Sequence, residues 1–320
     1  MRILITGAAG FIGCNLVSIL LAHNHKVIGI DNLSRGSMTN LASVSTNPHF
    51  EFFRADIADY EAFIGILKKI HAENPIEEVW HMAANSDIPA GVSDAKIDLR
   101  DTFMTTFNVL QAMKELKIPV LAFASSSAIY GDLKDQVLIE DIGPLLPISN
   151  YGAMKLASEA AITAAAESFL QKAFIFRFPN VIGVPATHGV IYDFIKRLRH
   201  YPENLDVLGD GTQQKIYLHV EDLIDAMLFI RAEAKERLNY HNIGVDDAGV
   251  TVRFIAEETV RVVAPEARIV FGESNRGWVG DVPRFRYSID KLRKLGWQPK
   301  ESSIDVMRRA IRQIASQEQL

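Results

Sequence analysis

At 320 residues, with 48% hydrophobic and 23% charged side chains, the chain can bury a large core and exceeds one minimal domain, which excludes disordered and fibrous classes. Its net charge of −5 gives no general attraction to phosphate backbones or anionic lipid, so neither nucleic acid nor a membrane surface is an expected partner. One cysteine, Cys14, cannot close an intrachain disulfide, no apolar run reaches the roughly 20 residues of a membrane-spanning helix, and the first run, Ile3 to Ile5, is too short for a signal peptide, so a cytoplasmic location is expected.

In chain order, short β-branched runs alternate with longer helical patterns. Strands are predicted at residues 2–6, 26–31, 50–54, 78–82, 120–125 and 174–177, apolar without clean alternation, as strands buried on both faces are. Helices are predicted at residues 10–23, 60–71, 97–117 and 151–171. This alternation implies parallel strands joined by crossover helices: an α/β fold with a doubly wound parallel sheet of the Rossmann type. Cys14 falls in the apolar run of the first helix and reads as a small packed side chain. In the last helix Ala153, Leu156, Ala157, Ala160, Ala161, Ala164 and Ala165 give a small-residue face that permits close helix approach, so a homodimer through helices 97–117 and 151–171 is expected. After Arg177, Pro179, Gly183 and Pro185 interrupt the alternation. The remainder reads as a smaller mixed α/β C-terminal substrate-binding domain, residues 179–320, following a nucleotide-binding domain at 1–178, with some later segments returning to the first.

Three features carry chemistry. Gly7, Gly10 and Gly13, with Phe11 and Ile12 between, follow the first strand and open a helix, where backbone can approach a pyrophosphate and amide groups point outward. Asp31 ends the second strand, placed to accept hydrogen bonds from a ribose and to repel a 2′-phosphate, which favours NAD over NADP; Arg35 is the nearby residue that argues the other way. Tyr151 and Lys155 stand at i and i+4, so both project from one helical face, and an adjacent ammonium and a positive nicotinamide ring would favour the phenolate as a base. Ser125, Ser126 and Ser127 end the fifth strand, and spacing alone does not separate them.

Together, in this order, the glycine turn, the acid, the serine cluster and Tyr151/Lys155 resemble extended short-chain dehydrogenases over almost the whole chain. The resemblance implies NAD as cofactor, held by the glycine turn, Asp31, Asn32, Asp56, Ile57, Ala83, Ala84, Thr102, Ser125, Tyr151 and Lys155, with Ser127, Tyr151 and Lys155 catalytic. His81 alone reads as a packed, hydrogen-bonded histidine. Downstream, Arg177-Phe178-Pro179-Asn180-Val181-Ile182-Gly183 resembles the family's nucleotide-sugar epimerases and dehydratases, which implies substrate contacts at Asn180, Lys215 and Arg276, with Ser86, Ser127 and Val190 around the sugar and UDP as the commonest nucleotide. Lys215 stands where arginine is usual and offers a point charge instead of a fork. Relatives that dehydrate carry Asp-Glu directly after the catalytic serine or threonine; Ala128-Ile129 after Ser127 points instead to 4-epimerisation. Nucleotide-sugar 4,6-dehydration, 4-oxidation or decarboxylation are the alternatives on the same scaffold, a non-catalytic NAD-binding sensor a more distant one. No metal is expected.

Overall fold

The predicted strands of the first half all form, most of them as buried apolar runs, with Phe50–Arg54 at the sheet edge only partly buried. The computed structural model describes residues 1–134, 136–274, 282 and 284–319. β1 (Arg2–Thr6), β2 (Lys26–Asp31), β3 (Phe50–Arg54), β4 (Glu78–His81) and β5 (Val120–Ala124) join the strands Lys172–Arg177 and Leu238–Asn242 in a seven-stranded sheet. Its order is Leu238–Asn242, Lys172–Arg177, β5, β4, β1, β2, β3, and the pairings from β3 across to Lys172–Arg177 are parallel. Leu4, Val79, Leu121 and Ile175 share a core with Phe63, Leu67, Val109, Met113 and Ile162 from the helices Tyr60–Glu73, Thr105–Leu116 and Asn150–Ser168. Ile3 and Trp80 face a cavity with Leu20 of the helix Phe11–Ala22. The chain reverses its direction of winding between β1 and β4, and the crevice beyond the carboxyl ends of those strands is where such sheets bind ligands.

The predicted helix 97–117 is instead a short helix Ala95–Asp98, a π-helical turn Leu99–Met104 and the helix Thr105–Leu116. The Thr105 hydroxyl donates to the carbonyls of Asp101 at 3.0 Å and Thr102 at 3.1 Å, and the Thr106 hydroxyl to that of Thr102 at 2.9 Å; such side-chain donors compete for the helical acceptors.

By contacts the chain forms two units. The first holds Met1–Gly131, Leu145–Arg177 and Met227–His241; the second holds Asp132–Pro144, Phe178–Ala226 and Asn242–Leu320. The second unit thus takes residues 132–144, which precede the boundary expected at 178. Within it Val137–Leu138 pairs with Arg286–Tyr287, and Asn242 Nδ2 donates to the Leu138 carbonyl at 3.0 Å. Its core is built from Phe194, Ile195, Ile255, Val260, Met307 and Ile311 on the helices Val190–His200, Val252–Val263 and Ser303–Gln317. Among the described residues no helix is long and apolar enough to cross a membrane.

Candidate active site

The glycine turn is braced by the protein itself. Gly7 N–H donates to the Ile30 carbonyl at 2.8 Å and Ala9 N–H to Asp31 Oδ2 at 3.0 Å, so the end of β2 fixes the turn after β1. A Cβ on Gly13 would overlap the Gly7 carbonyl oxygen, and this lets the helix Phe11–Ala22 begin directly on the turn. Gly10 caps that helix without a side-chain bond, and the first intrahelical bond is donated by Cys14 N–H at 2.9 Å. The amides of Phe11, Ile12 and Gly13 therefore have no acceptor within the helix and form a positive end suited to a diphosphate.

Asp31 also accepts from Leu33 N–H at 2.8 Å, leaving lone pairs on both oxygens for ribose hydroxyls. Burial raises its pKa while the amides of Leu33, Ala9 and Gly10 lower it. Arg35, the cation that argued for a 2′-phosphate, is engaged by Asp87 Oδ2 at 3.0 Å. An amide cradle, an acid beyond the second strand and an engaged arginine fit a dinucleotide without a 2′-phosphate.

Of the other residues expected around the cofactor, Asn32 Oδ1 accepts from Ser34 N–H at 2.9 Å, Asp56 pairs with Arg100, and Ile57 is buried. Ala83 and Ala84 follow β4, half-buried beside the turn. Thr102 is buried, with its hydroxyl accepting from Asn85 N–H at 3.2 Å. Ser125 departs from expectation: its hydroxyl donates to buried Glu159, because the strand end turns it toward the Arg177–Glu159 pair. His81 is fully buried between the hydroxyls of Thr6 at 2.7 Å and Thr106 at 3.1 Å, and burial with the Lys155 charge lowers its pKa to about 3. Cys14 is buried, its thiol raised to about 11 by desolvation.

Ser149 caps the helix Asn150–Ser168 by accepting from Gly152 N–H at 3.1 Å, which sets Tyr151 in its first turn and Lys155 one turn on. The Ser126 hydroxyl lies near enough to the Tyr151 phenol to lower its pKa. The hydroxyl of Ser126 also accepts from Ala128 N–H at 3.1 Å and caps the 3₁₀ turn Ser127–Tyr130. Ser126, next to the expected Ser127, is the serine that acts on Tyr151, and the two residues after it are Ser127 and Ala128, without a carboxylate. The sequence signal for this was the capping position itself, a serine immediately before a short helical turn.

Lys155 is buried, donates from Nζ to the Ala124 carbonyl at 2.6 Å and lies 4.7 Å from the Phe123 ring centroid and 5.8 Å from that of Tyr151. Burial lowers its pKa to about 7 against the opposing pull of Glu159 and Asp98. Burial likewise raises Tyr151 to about 12, with the Ser126 hydroxyl lowering it and the Asp98 charge raising it further. The expected phenolate is therefore not favoured by these side chains, because desolvation outweighs what a lysine committed to Ala124 supplies.

In the second unit Asn180 begins the strand Asn180–Ile182 and donates from Nδ2 to the Ile216 carbonyl at 3.3 Å; Lys215 precedes that residue on a half-buried strand, so the two lie close together. Val190 opens the helix Val190–His200. Ser86, in the first unit, is exposed after β4. Arg276 lies outside the described residues. Among the described residues no cluster of His, Cys, Asp or Glu could hold a metal.

Known proteins share this fold. The UDP-glucose 4-epimerase of Mycolicibacterium smegmatis is 31% identical over 307 residues, 94% of each chain. The solved UDP-glucose 4-epimerase of Thermotoga maritima with UDP-glucose superposes with a TM-score of 0.86 at 27% identity, covering 99% of this chain and 100% of that one. That of Thermus thermophilus with NAD gives 0.84 at 28%, covering 98% and 99%. A family model described as NAD dependent epimerase/dehydratase matches residues 3–245, from the first strand past the strand Leu238–Asn242. Since that match and the relatives extend across the glycine turn, the serine cluster and the Tyr151 helix alike, the chain belongs to the NAD dependent epimerase/dehydratase family.

Proposed function

We propose that the chain is an NAD-dependent nucleotide-sugar 4-epimerase acting on a UDP-hexose. The observation that carries this reading is Ser126 beside Tyr151, followed by Ser127 and Ala128, so the carboxylate pair that 4,6-elimination needs directly after that serine is missing. The names and bound ligands of the relatives above support UDP and NAD.

The glycine turn, Asp31, Asn32, Asp56, Ala83 and Ala84 would hold the dinucleotide, which when bound supplies reversible hydride exchange and a positive ring that favours the phenolate. Tyr151 then takes the proton of the sugar C4 hydroxyl and returns it to the same oxygen after the sugar has turned over. Ser126 donates a hydrogen bond to that oxygen and Lys155 keeps a positive charge near the phenol. Epimerisation requires both faces of the C4 ketone to meet one redox partner, so the protein must hold the substrate by its diphosphate while leaving the hexose free to rotate. Asn180, Lys215 and Arg276 are assigned to the diphosphate, Ser86, Ser127 and Val190 to the sugar.

A homodimer through the segments 97–117 and 151–171 is part of the proposal. It is supported by Leu99 and Phe107, 46% and 39% exposed, and by exposed Ala160 and Ala164 on the neighbouring helix. A cytoplasmic location is proposed on the lone buried thiol.

The test is to supply UDP-glucose and UDP-galactose separately and follow the anomeric protons by NMR. Approach to one equilibrium from both sides, without lasting absorbance at 340 nm, supports the reading. A persistent 4-keto or 6-deoxy product overturns it.

A further inference from the structure

The mechanism above leaves unused a carboxyl group buried beside the reacting pair. Asp98 ends the short helix Ala95–Asp98, is fully buried, and accepts one hydrogen bond, from Asn85 Nδ2 to Oδ1 at 2.8 Å. Among the described residues its other oxygen, Oδ2, is buried without a hydrogen-bond partner. Such an atom carries an uncompensated desolvation cost, and the fold goes to some length to keep it. A Cβ on residue 91 would overlap Oδ2, so Gly91 leaves this carboxyl its place. Asn85 is itself locked: Nδ2 also donates to the Asp87 carbonyl at 2.9 Å, and Oδ1 accepts from Asp87 N–H at 2.9 Å. Asn150, the residue before Tyr151, donates from Nδ2 to the Gly91 carbonyl at 2.8 Å and ties this loop to the start of the helix bearing Tyr151 and Lys155.

We propose that Asp98 is a positioning residue for proton transfer, built in by Asn85 and Gly91, whose charge sets the pH range in which the Tyr151–Lys155 pair works. The proposal rests on the epimerase reading of that pair. The groups facing Asp98 are Asn85 and Asp87 from the loop after β4, Asp101 from the next turn, and Tyr151 and Lys155 from the helix Asn150–Ser168. Burial raises the Asp98 pKa and the Asn85 bond lowers it, while Asp101 and Asp87 raise it and Lys155 lowers it. In return, its negative charge raises both Tyr151 and Lys155. Removing that charge must therefore move both partners in one direction, toward acid. A merely structural role for Asp98 would not do this.

Asp98→Asn keeps the shape and the oxygen that Asn85 meets. In NAD-loaded protein, the Tyr151 phenol step, read near 295 nm against a Tyr151→Phe blank, should fall by about one pH unit. The acid limb of kcat on the UDP-hexose should move with it, with KM changed less than about twofold. A kcat that drops with the phenol step unmoved overturns the proposal. If the phenol step moves but wild-type protein epimerises nothing, the function reading fails and the charge coupling stands. Should the variant not fold, wild-type protein labelled at aspartate Cγ gives the same decision: the Asp98 carbon signal is expected to shift as Tyr151 ionises, and an unresponsive signal sinks the idea.

Discussion

Replacing Arg177 by methionine should strip the partner from a buried carboxylate on the helix that carries Tyr151 and Lys155. Arg177 donates from Nη2 to Glu159 Oε2 at 2.7 Å and from Nε at 3.1 and 3.2 Å, with both side chains nearly closed to solvent at 8% and 6%. Its Nη1 donates to the Tyr130 hydroxyl at 3.0 Å, just after the turn that Ser126 caps. At an effective dielectric of about 20 two unit charges at this separation attract by about 6 kcal/mol, part of which is offset by the desolvation already incurred. Loss of one member of a buried pair costs about 3–5 kcal/mol, because the survivor stays buried and charged. With an unfolding entropy of about 2.1 cal/mol/K per residue, 4 kcal/mol corresponds to a midpoint lowered by about 6 °C for a chain of this length. Thermal and urea unfolding followed by far-UV circular dichroism measure it. The double variant Arg177→Met with Glu159→Leu should recover most of the loss, since no charge is then left buried. A single variant within about 1 kcal/mol of wild type, or a double variant no better than the single, would refute the reasoning.

Tyr151→Phe is expected to lower turnover by about 10²–10⁴-fold, the range of general base catalysis, while NAD released on denaturation stays at the wild-type amount; full activity would dismiss the base. Ser126→Ala should lower kcat about 10²-fold and Ser127→Ala only a few-fold. The opposite ranking in steady-state assays would restore Ser127. Gly13→Ala forces the turn away from its present path, so the dialysed protein should retain far less NAD by chromatography of its extract, and unchanged retention would count against the amide cradle. In cofactor-free protein Tyr151 holds its proton to about pH 12 against an ordinary 10, so between those values the folded state binds the extra proton and stability from this group falls as pH rises. Urea midpoints across that window should fall more steeply in wild type than in Tyr151→Phe, and parallel curves would contradict the shift.

Sequence alone sufficed for β1, β2 and β3 to the residue: β1 and β2, buried nearly throughout, show as apolar runs, and β3 as a short aromatic run, while the intervening helices show their own period. The local geometry of the glycine turn beside Asp31 and of Tyr151 and Lys155 on one helix was legible too, since such spacings follow from a turn and from one helical revolution. Tertiary structure decided the rest. Three adjacent serines look alike until β5 ends and a 3₁₀ turn sends Ser125 to Glu159 and Ser126 to Tyr151. The proton affinity of Tyr151 depends on burial and on a lysine drawn to the Ala124 carbonyl, neither of which i, i+4 spacing contains. Asn85, Gly91 and Asp98 meet only when their loop folds back, so their joint role is a property of three-dimensional packing; hydrogen bonding and desolvation act between neighbours in space, whatever their separation along the chain.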